Sequence, residues 1–204
     1  MSKNSEYTDI LRSMLTPDRF AHSLNVAESA VLLAERFGGD TSKAYTAGLL
    51  HDIMKDAPKK EQLKIIEKAG IILSLGERHN QKVWHAMAGA AYIKAELGIG
   101  DPEILSAVRY HTTGRAGMSL LEKIIYIADY ISKDRTYNGV EKMRRLAETS
   151  LEDAMLFGQE FTIVSLIQKG RVVHPDSVNC YNELIERKRA NDTEGACGEN
   201  RKNT

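Results

Sequence analysis

The sequence predicts an all-α fold, a single bundle of helices, and three observations carry that prediction. Apolar residues recur at spacings of three and four along almost the whole chain, while the strict alternation of a half-buried strand is nearly absent. Helix starts are written at Thr16-Pro17, Pro58 and Asp101-Pro102, where a capping side chain or a first-turn proline precedes an apolar stripe. Helix stops follow at Gly38-Gly39-Asp40 and Gly70, since glycine accepts the left-handed turn after the last helical residue.

Taken in order, Tyr7, Ile10, Leu11, Met14 and Leu15 mark a short first helix. Thr16 caps a second, running from Pro17 to about Phe37 with Phe20, Leu24, Val26, Ala27, Ala30, Val31 and Ala34 as its apolar stripe. Thr41 caps a third, which carries Tyr45, Ala47, Gly48, Leu49 and Leu50 into His51-Asp52; small residues at 44, 47 and 48 allow close approach of a neighbour. Pro58 opens a fourth, with Leu63, Ile65 and Ile66 inward, and residues 71 to 81 are expected to be loop. The fifth, Val83 to Leu97, is so rich in Ala and Gly that it belongs in a tight interior. Asp101-Pro102 starts a sixth that ends near Tyr110-His111. Thr112 to Gly117 reads as loop, Leu120 to Ile131 as a strongly apolar seventh helix, and Arg135 to Asn138 as a turn. Two more helices follow, Val140 to Glu148 and Leu151 to Lys169; the pattern breaks over Gly170 to Asp176, and a last helix runs from Ser177 to about Arg189. From Ala190 the chain is polar and poor in apolar residues, so disorder is expected there. The expected organisation is one domain, residues 1–189, and a polar tail, 190–204.

Bulk properties narrow the function. A length of 204 residues suits one domain with a sizeable core. Lysine plus arginine equals aspartate plus glutamate at 28 each, a balance that argues against a nucleic-acid binder, which shows a basic surplus. No apolar run is long enough to span a membrane, and Met1 to Tyr7 has no apolar signal region. Cys180 and Cys197 are not expected to pair, because the second lies in the polar tail; a reducing cytoplasm fits.

The chain is organised around Leu49-Leu50-His51-Asp52-Ile53-Met54-Lys55. Adjacent imidazole and carboxylate groups suit a metal ion, held at a helix end or between helices because neighbouring helical residues point about 100° apart. Alone, the dipeptide would be better read as a solvated helix end. His22, His85, His111 and Asp129 change the balance, since each falls in or at the end of its own helix among apolar or small neighbours. A lone histidine there is usually a hydrogen-bonded core residue, but four in succession are not so explained. Asp129, in Ile-Ala-Asp-Tyr-Ile, is costly in an apolar setting unless an ion, a cap or a cationic side chain neutralises it.

The succession His, His-Asp, His, His, Asp resembles the HD-domain superfamily of metal-dependent phosphohydrolases. The strings Arg19-Phe20-Ala21-His22, Leu49 to Lys55, Trp84-His85-Ala86, Arg109-Tyr110-His111-Thr112-Thr113-Gly114-Arg115 and Ala128-Asp129-Tyr130-Ile131 are similar to the YqeK family, over about residues 10–188. That resemblance implies a symmetrical dinucleoside-tetraphosphatase, which splits diadenosine tetraphosphate into two ADP at a di-iron centre. It implies His22, His51, Asp52 and Asp129 around one ion and His85 and His111 at the second, with Asp52 bridging. It also implies a nucleotide-binding loop at Val172-Val173-His174-Pro175-Asp176. The family usually shows Glu-Pro between Ala-Asp-Tyr-Ile and its arginine; here Ser132-Lys133-Asp134 precede Arg135, which weakens the placement of Arg135 beside substrate.

The residue types agree with that chemistry. Two ions about 3.5–4 Å apart acidify a water and neutralise phosphate oxygens as an anhydride breaks. Four imidazoles among six ligands favour iron, manganese or another borderline metal over magnesium. Asp52 suits the bridge and Lys55, one turn on, a phosphate-binding catalytic cation. Arg19, three residues before His22, can reach phosphate with Thr112, Thr113 and Arg115, and His22, His85, His111 and Asp129 also face substrate. Neither Gly-x-x-x-x-Gly-Lys nor Gly-x-Gly-x-x-Gly occurs, so base recognition falls to backbone groups and stacking, with Tyr110, Tyr130 and Tyr137 as candidates. His79 reads as solvated. Two alternatives stand beside the tetraphosphatase: hydrolysis of another nucleotide, such as a deoxynucleotide or an alarmone, and a metal-dependent nucleotide sensor without turnover. A homodimer is compatible with either.

Overall fold

The computed structural model describes the backbone of residues 3–199 and the side chains of residues 5–190. These residues form α-helices and one 3-10 turn, with no strand among them: α1 Lys3–Met14, α2 Pro17–Phe37, α3 Thr41–Leu50, α4 Lys59–Lys68, α5 Leu75–His79, the turn Gln81–Val83, α6 Trp84–Glu96, α7 Pro102–Tyr110, α8 Leu120–Ile131, α9 Val140–Ala147, α10 Leu151–Gln168 and α11 Pro175–Glu199. No helix of the described residues is long and apolar enough to cross a membrane.

Helix α8 is the axis of the bundle. Ile124, Ile125, Tyr126, Ile127 and Ala128 are all fully buried, which no amphipathic surface helix would show. Helices α2, α3, α7, α9 and α10 pack around it. Each buried isoleucine contributes roughly 1.5–3 kcal/mol, so the helix that carries Asp129 is among the most firmly held. A second core joins α1, α3, α4, α6 and α7 through Leu11, Leu49, Leu50, Ile53, Met54, Ile66, Met87, Ile93 and Val108.

The antiparallel pair α2 and α3 turns at Gly38, whose φ of 73° closes α2 through a bond from its N–H to Ala34 O. The pair then approaches closely at Gly48, where an added Cβ would lie 2.9 Å from Ala27 Cα. This is the close approach expected from the small residues of α3.

Several local expectations are corrected. Thr16 precedes α2 but makes no capping bond to it; its N–H and hydroxyl both donate to Asp56 Oδ2, at 2.9 and 2.8 Å. Both Thr16 donors are thus turned to a carboxylate across the fold, and the hydroxyl oxygen accepts from none of the first-turn N–H groups. Asp40, not Thr41, caps α3, accepting from the N–H groups of Ser42 and Lys43 at 2.9 and 3.0 Å. A carboxylate there also favours the positive helix start. Residues 71 to 81 are not loop throughout: Ser74 and Glu77 form a reciprocal capping box that starts α5. Helix α11 starts at Pro175, two residues earlier than expected, with proline at its first position. The backbone of α11 continues to Glu199, past the expected end near Arg189 and into the segment expected to be disordered, while the side chains beyond residue 190 and the backbone beyond 199 lie outside the described residues. Cys180 is buried and free.

Candidate metal centre

Four imidazole rings form a row through the middle of the bundle. Ring centroids are 5.3 Å apart for His22 and His51, 5.0 Å for His51 and His111, and 5.2 Å for His111 and His85. All four side chains are buried. His22 comes from α2, His51 caps the end of α3, His85 stands in the first turn of α6, and His111 caps α7.

Each ring is fixed by a bond from its Nδ1. His51 donates to Gly48 O, His85 to Lys82 O and His111 to Val108 O, each at 2.7 Å and each to the carbonyl three residues earlier. These bonds set the tautomer and leave every Nε2 lone pair turned toward the carboxylates.

Asp52, just past α3, meets both halves of the row. Its Oδ1 lies 3.1 Å from His85 Nε2 and 3.4 Å from His111 Nε2. Its Oδ2 lies 3.5 Å from His51 Nε2. Asp129, near the end of α8, places Oδ1 3.0 Å from His22 Nε2 and 4.0 Å from His51 Nε2. His22, His51 and Asp129 offer donor atoms within 4.8 Å of one another, as do His51, Asp52 and His111. His85 joins the second group through Asp52 and its 3.2 Å approach to His111 Nε2.

The electrostatics suit cation binding. Burial lowers the pKa of His51, and it lowers that of His85 to about 4, so both rings are neutral at pH 7. Burial alone would raise the Asp52 carboxyl, yet it is held well below the usual range, with Arg19 Nη1 2.9 Å from its Oδ2. Neutral imidazoles and ionised carboxylates are the protonation states that metal ligands need. His51 Nε2 decides the fit. It is fully buried, lies between two carboxylates and has no hydrogen-bond partner. An orphaned nitrogen so placed is costly unless a cation meets its lone pair.

Cationic side chains ring the cluster. Arg19 Nη1 donates to Asp52 Oδ2 at 2.9 Å, and Lys55 Nζ lies 3.3 Å from Asp52 Oδ1 and 3.1 Å from His85 Nε2. Arg135 donates through Nη2 to Asp129 Oδ1 and through Nε to Asp129 O. Thus Arg135 sits at the site despite the altered Ser132-Lys133-Asp134 segment before it. Arg115 does not. Both Nε and Nη2 bind the buried Glu122 carboxylate, at 2.7 and 2.9 Å, so its charge holds the loop after α7 against α8.

A cavity of about 550 Å³ opens beside the cluster. Thr112 connects the two: it lines the cavity, and its hydroxyl lies 3.1 Å from His111 Nε2 and 3.3 Å from His85 Nε2. Of the segment Val172 to Asp176, Val172 and His174 line the cavity, whereas Val173, Pro175 and Asp176 do not. Asp176 donates its N–H to His174 Nδ1 at 3.1 Å, which leaves His174 Nε2 3.4 Å from Glu77 Oε1. His79 is exposed at the cavity rim. Tyr110, Tyr130 and Tyr137 are absent from the lining; the Tyr130 hydroxyl pairs with Thr162, and Tyr137 stacks on Phe161.

Two carboxylates escaped the sequence reading. Asp134 Oδ2 accepts from His22 Nδ1 at 2.8 Å. Buried Glu77 accepts from Arg109 Nη2 at 3.1 Å while facing His174. The capping pattern Ser74-Leu75-Gly76-Glu77 could have revealed Glu77; no local signal marks Asp134 as a partner of His22.

Comparison with known proteins agrees with this arrangement. The HD domain model matches residues 19–134, a span that holds all six clustered histidines and aspartates. The chain is similar to the symmetrical bis(5'-nucleosyl)-tetraphosphatase of Bacillus subtilis, 43% identical over 86% of this chain and 94% of that protein. It is 41% identical to the protein of the same name from Halalkalibacterium halodurans, over 86% of this chain and 94% of that one. A crystal structure from Clostridium acetobutylicum, described as a predicted HD superfamily hydrolase involved in NAD metabolism, superposes with a TM-score of 0.89 at 40% identity, covering 92% of this chain and 99% of that chain. The buried row of imidazoles, the two carboxylates that face it and these likenesses lead to one conclusion: the chain belongs to the HD-domain family, in the branch of its symmetrical tetraphosphatase relatives.

Proposed function

We propose that the chain hydrolyses diadenosine tetraphosphate, and related dinucleoside polyphosphates, symmetrically to two ADP at a dinuclear metal centre. The observation that carries this reading is the unpartnered, buried Nε2 of His51 between Asp52 and Asp129. The relatives that share 41–43% identity and bear the tetraphosphatase name support the substrate.

His22, His51, Asp52 and Asp129 would hold one ion and His85, His111 and Asp52 the other, since Asp52 turns one oxygen toward each half of the imidazole row. The nitrogen-rich donor set favours iron, with manganese next, over magnesium. Bound there, the ions supply an acidified water and positive charge for the phosphate oxygens.

The chain's own groups do the rest. Lys55 and Arg19 keep Asp52 ionised and aimed, and each is partly exposed to incoming phosphate. A cation that meets phosphate oxygens more closely as charge develops lowers the barrier rather than merely tightening binding. Arg135 serves the same purpose at Asp129. The Thr112 hydroxyl stands where the polyphosphate would pass from the cluster into the cavity. At about 550 Å³ the cavity suits one nucleoside, with Val83, Leu166 and Val172 as apolar wall and His174 as a polar contact.

The test is product chromatography on diadenosine tetraphosphate, paired with elemental analysis of the purified protein. Two ADP per substrate and two bound ions are expected. AMP plus ATP, or free phosphate, would refute the symmetrical reaction. Nucleotide binding with both ions present and no product would instead identify a sensor.

A further inference from the structure

Three of the four central histidines sit where a helix leaves a carbonyl free, and the fourth does not. His51 and His111 follow the last turns of α3 and α7, where Gly48 O and Val108 O lack an intrahelical N–H. His85 opens α6 and uses Lys82 O of the preceding 3-10 turn. His22 is the sixth residue of the 21-residue α2. There the carbonyls one turn back accept the helix's own N–H groups, so no backbone acceptor is available to its Nδ1.

Asp134 fills that role from the connection between α8 and α9. Its Oδ2 lies 2.8 Å from His22 Nδ1, and its Oδ1 accepts from Asn25 Nδ2 at 2.9 Å. Asn25 lies three residues after His22 on α2, so one helix face supplies both donors that grip the carboxylate. Burial raises the Asp134 carboxyl, but the bonds from Asn25 and His22 outweigh it and bring it down to about 2. On the other side of the ring, His22 Nε2 faces Asp129.

We propose that Asp134, steadied by Asn25, is a positioning residue that fixes the tautomer and orientation of His22 toward the cluster, in place of the backbone carbonyls used by His51, His85 and His111. The inference rests on the reading that the cluster holds metal ions. The carboxylate leaves the Nε2 lone pair aimed inward and makes the imidazole a more basic donor than its three neighbours. His22 lies at the end of the row farthest from His85, so the effect is confined to the ion shared by His22, His51 and Asp129.

The experiment compares wild type, Asp134→Ala and Asp134→Asn by metal content, by chelator competition for each ion, and by thermal unfolding of the metal-free proteins. Loss of such a partner typically costs about 10- to 100-fold in metal affinity. Asp134→Ala should therefore weaken one ion by that factor, leave the other within about threefold, and leave the metal-free midpoint nearly unchanged. Asp134→Asn keeps an oxygen for His22 Nδ1, and a flipped Asn25 can accept from its amide; most of the affinity should return. Wild type with two ions and Asp134→Ala with unchanged affinity would overturn the inference, as would equal weakening of both ions or an Asp134→Asn variant as weak as Asp134→Ala. Wild type that binds no ion would overturn the metal reading beneath it instead.

Discussion

Alanine substitution at Gly48 and at Gly89 should shift stability in opposite directions, although both residues lie inside helices around the cluster. In a helix interior, replacing Gly with Ala gains about 1 kcal/mol from backbone entropy alone. At Gly48 the new methyl would stand 2.9 Å from Ala27 Cα, 3.2 Å from Ala27 N and 3.2 Å from Ala30 Cβ. Two of those atoms are backbone of α2, so relief requires moving a whole helix. Overpacking of this kind costs about 1–3 kcal/mol, which leaves Gly48→Ala destabilised by roughly 1 kcal/mol. At Gly89 the methyl would meet Val108 Cγ1 at 3.5 Å and Ile53 Cγ2 at 3.6 Å, ordinary contact distances. Gly89→Ala should keep the full gain of about 1 kcal/mol. For a domain of this size each kcal/mol shifts the midpoint by about 2–4 °C, so one variant should melt lower and the other higher by that amount. Circular dichroism melts of the metal-free proteins isolate packing from metal binding. A Gly48→Ala variant that melts above wild type would refute the claim that the α2 backbone leaves no room for a methyl group at this point.

Other changes probe the site and its scaffold. Asp52→Ala should abolish both metal binding and turnover, and retained turnover would contradict the bridging assignment. Lys55→Ala should lower kcat/KM by roughly 10- to 100-fold, the worth of a charged hydrogen bond, with a much smaller change in metal content; an equal loss of metal would mean that Lys55 serves the cluster more than the substrate. Glu122 is buried, but bonds from Arg115, Ser119 and Ser106 outweigh burial and hold its carboxyl below the ordinary 4.5. Its stabilisation is therefore complete above about pH 4.5 and is lost as pH falls through the lower folded-state value. Glu122→Gln should melt well below wild type at pH 7, and the gap should narrow as the pH falls below 4.5; a constant gap across that range would show that the charge is irrelevant.

The helices and the cluster were legible for physical reasons that separate them from what was missed. Helix α8 reads correctly from Leu120 to Ile131 because an apolar run of that length, opened by Ser119 and Glu122, has one outcome. The six clustered residues are legible because each breaks an apolar pattern, and a polar group inside an apolar helix needs a partner. Asp134 and Glu77 gave no such contrast, since both lie in polar segments, and their roles depend on elements distant in sequence meeting in space. Arg115 failed the other way. It follows His111 closely enough to suggest the site, yet a buried glutamate on α8 claims it first. Residues 71 to 81 lacked apolar periodicity, and their short helix rests on a capping box rather than on core contacts.

The clustered histidines and aspartates come from α2, α3, α6, α7 and α8 or their ends, all within the stretch that matches the HD domain, whereas half of the cavity wall, with Thr162, Leu166, Val172, His174 and Ser177, comes from the chain beyond it. Bond-breaking is thus encoded, under the proposed function, in the first part, whereas guest selection is shared between its residues 79–83, 112 and 113 and the chain that follows. Under the proposed function, substitutions after Arg135 can redraw which nucleoside is admitted while the reactive machinery stays intact. Proteins that keep the first part and exchange the second would inherit the same reaction with a different clientele.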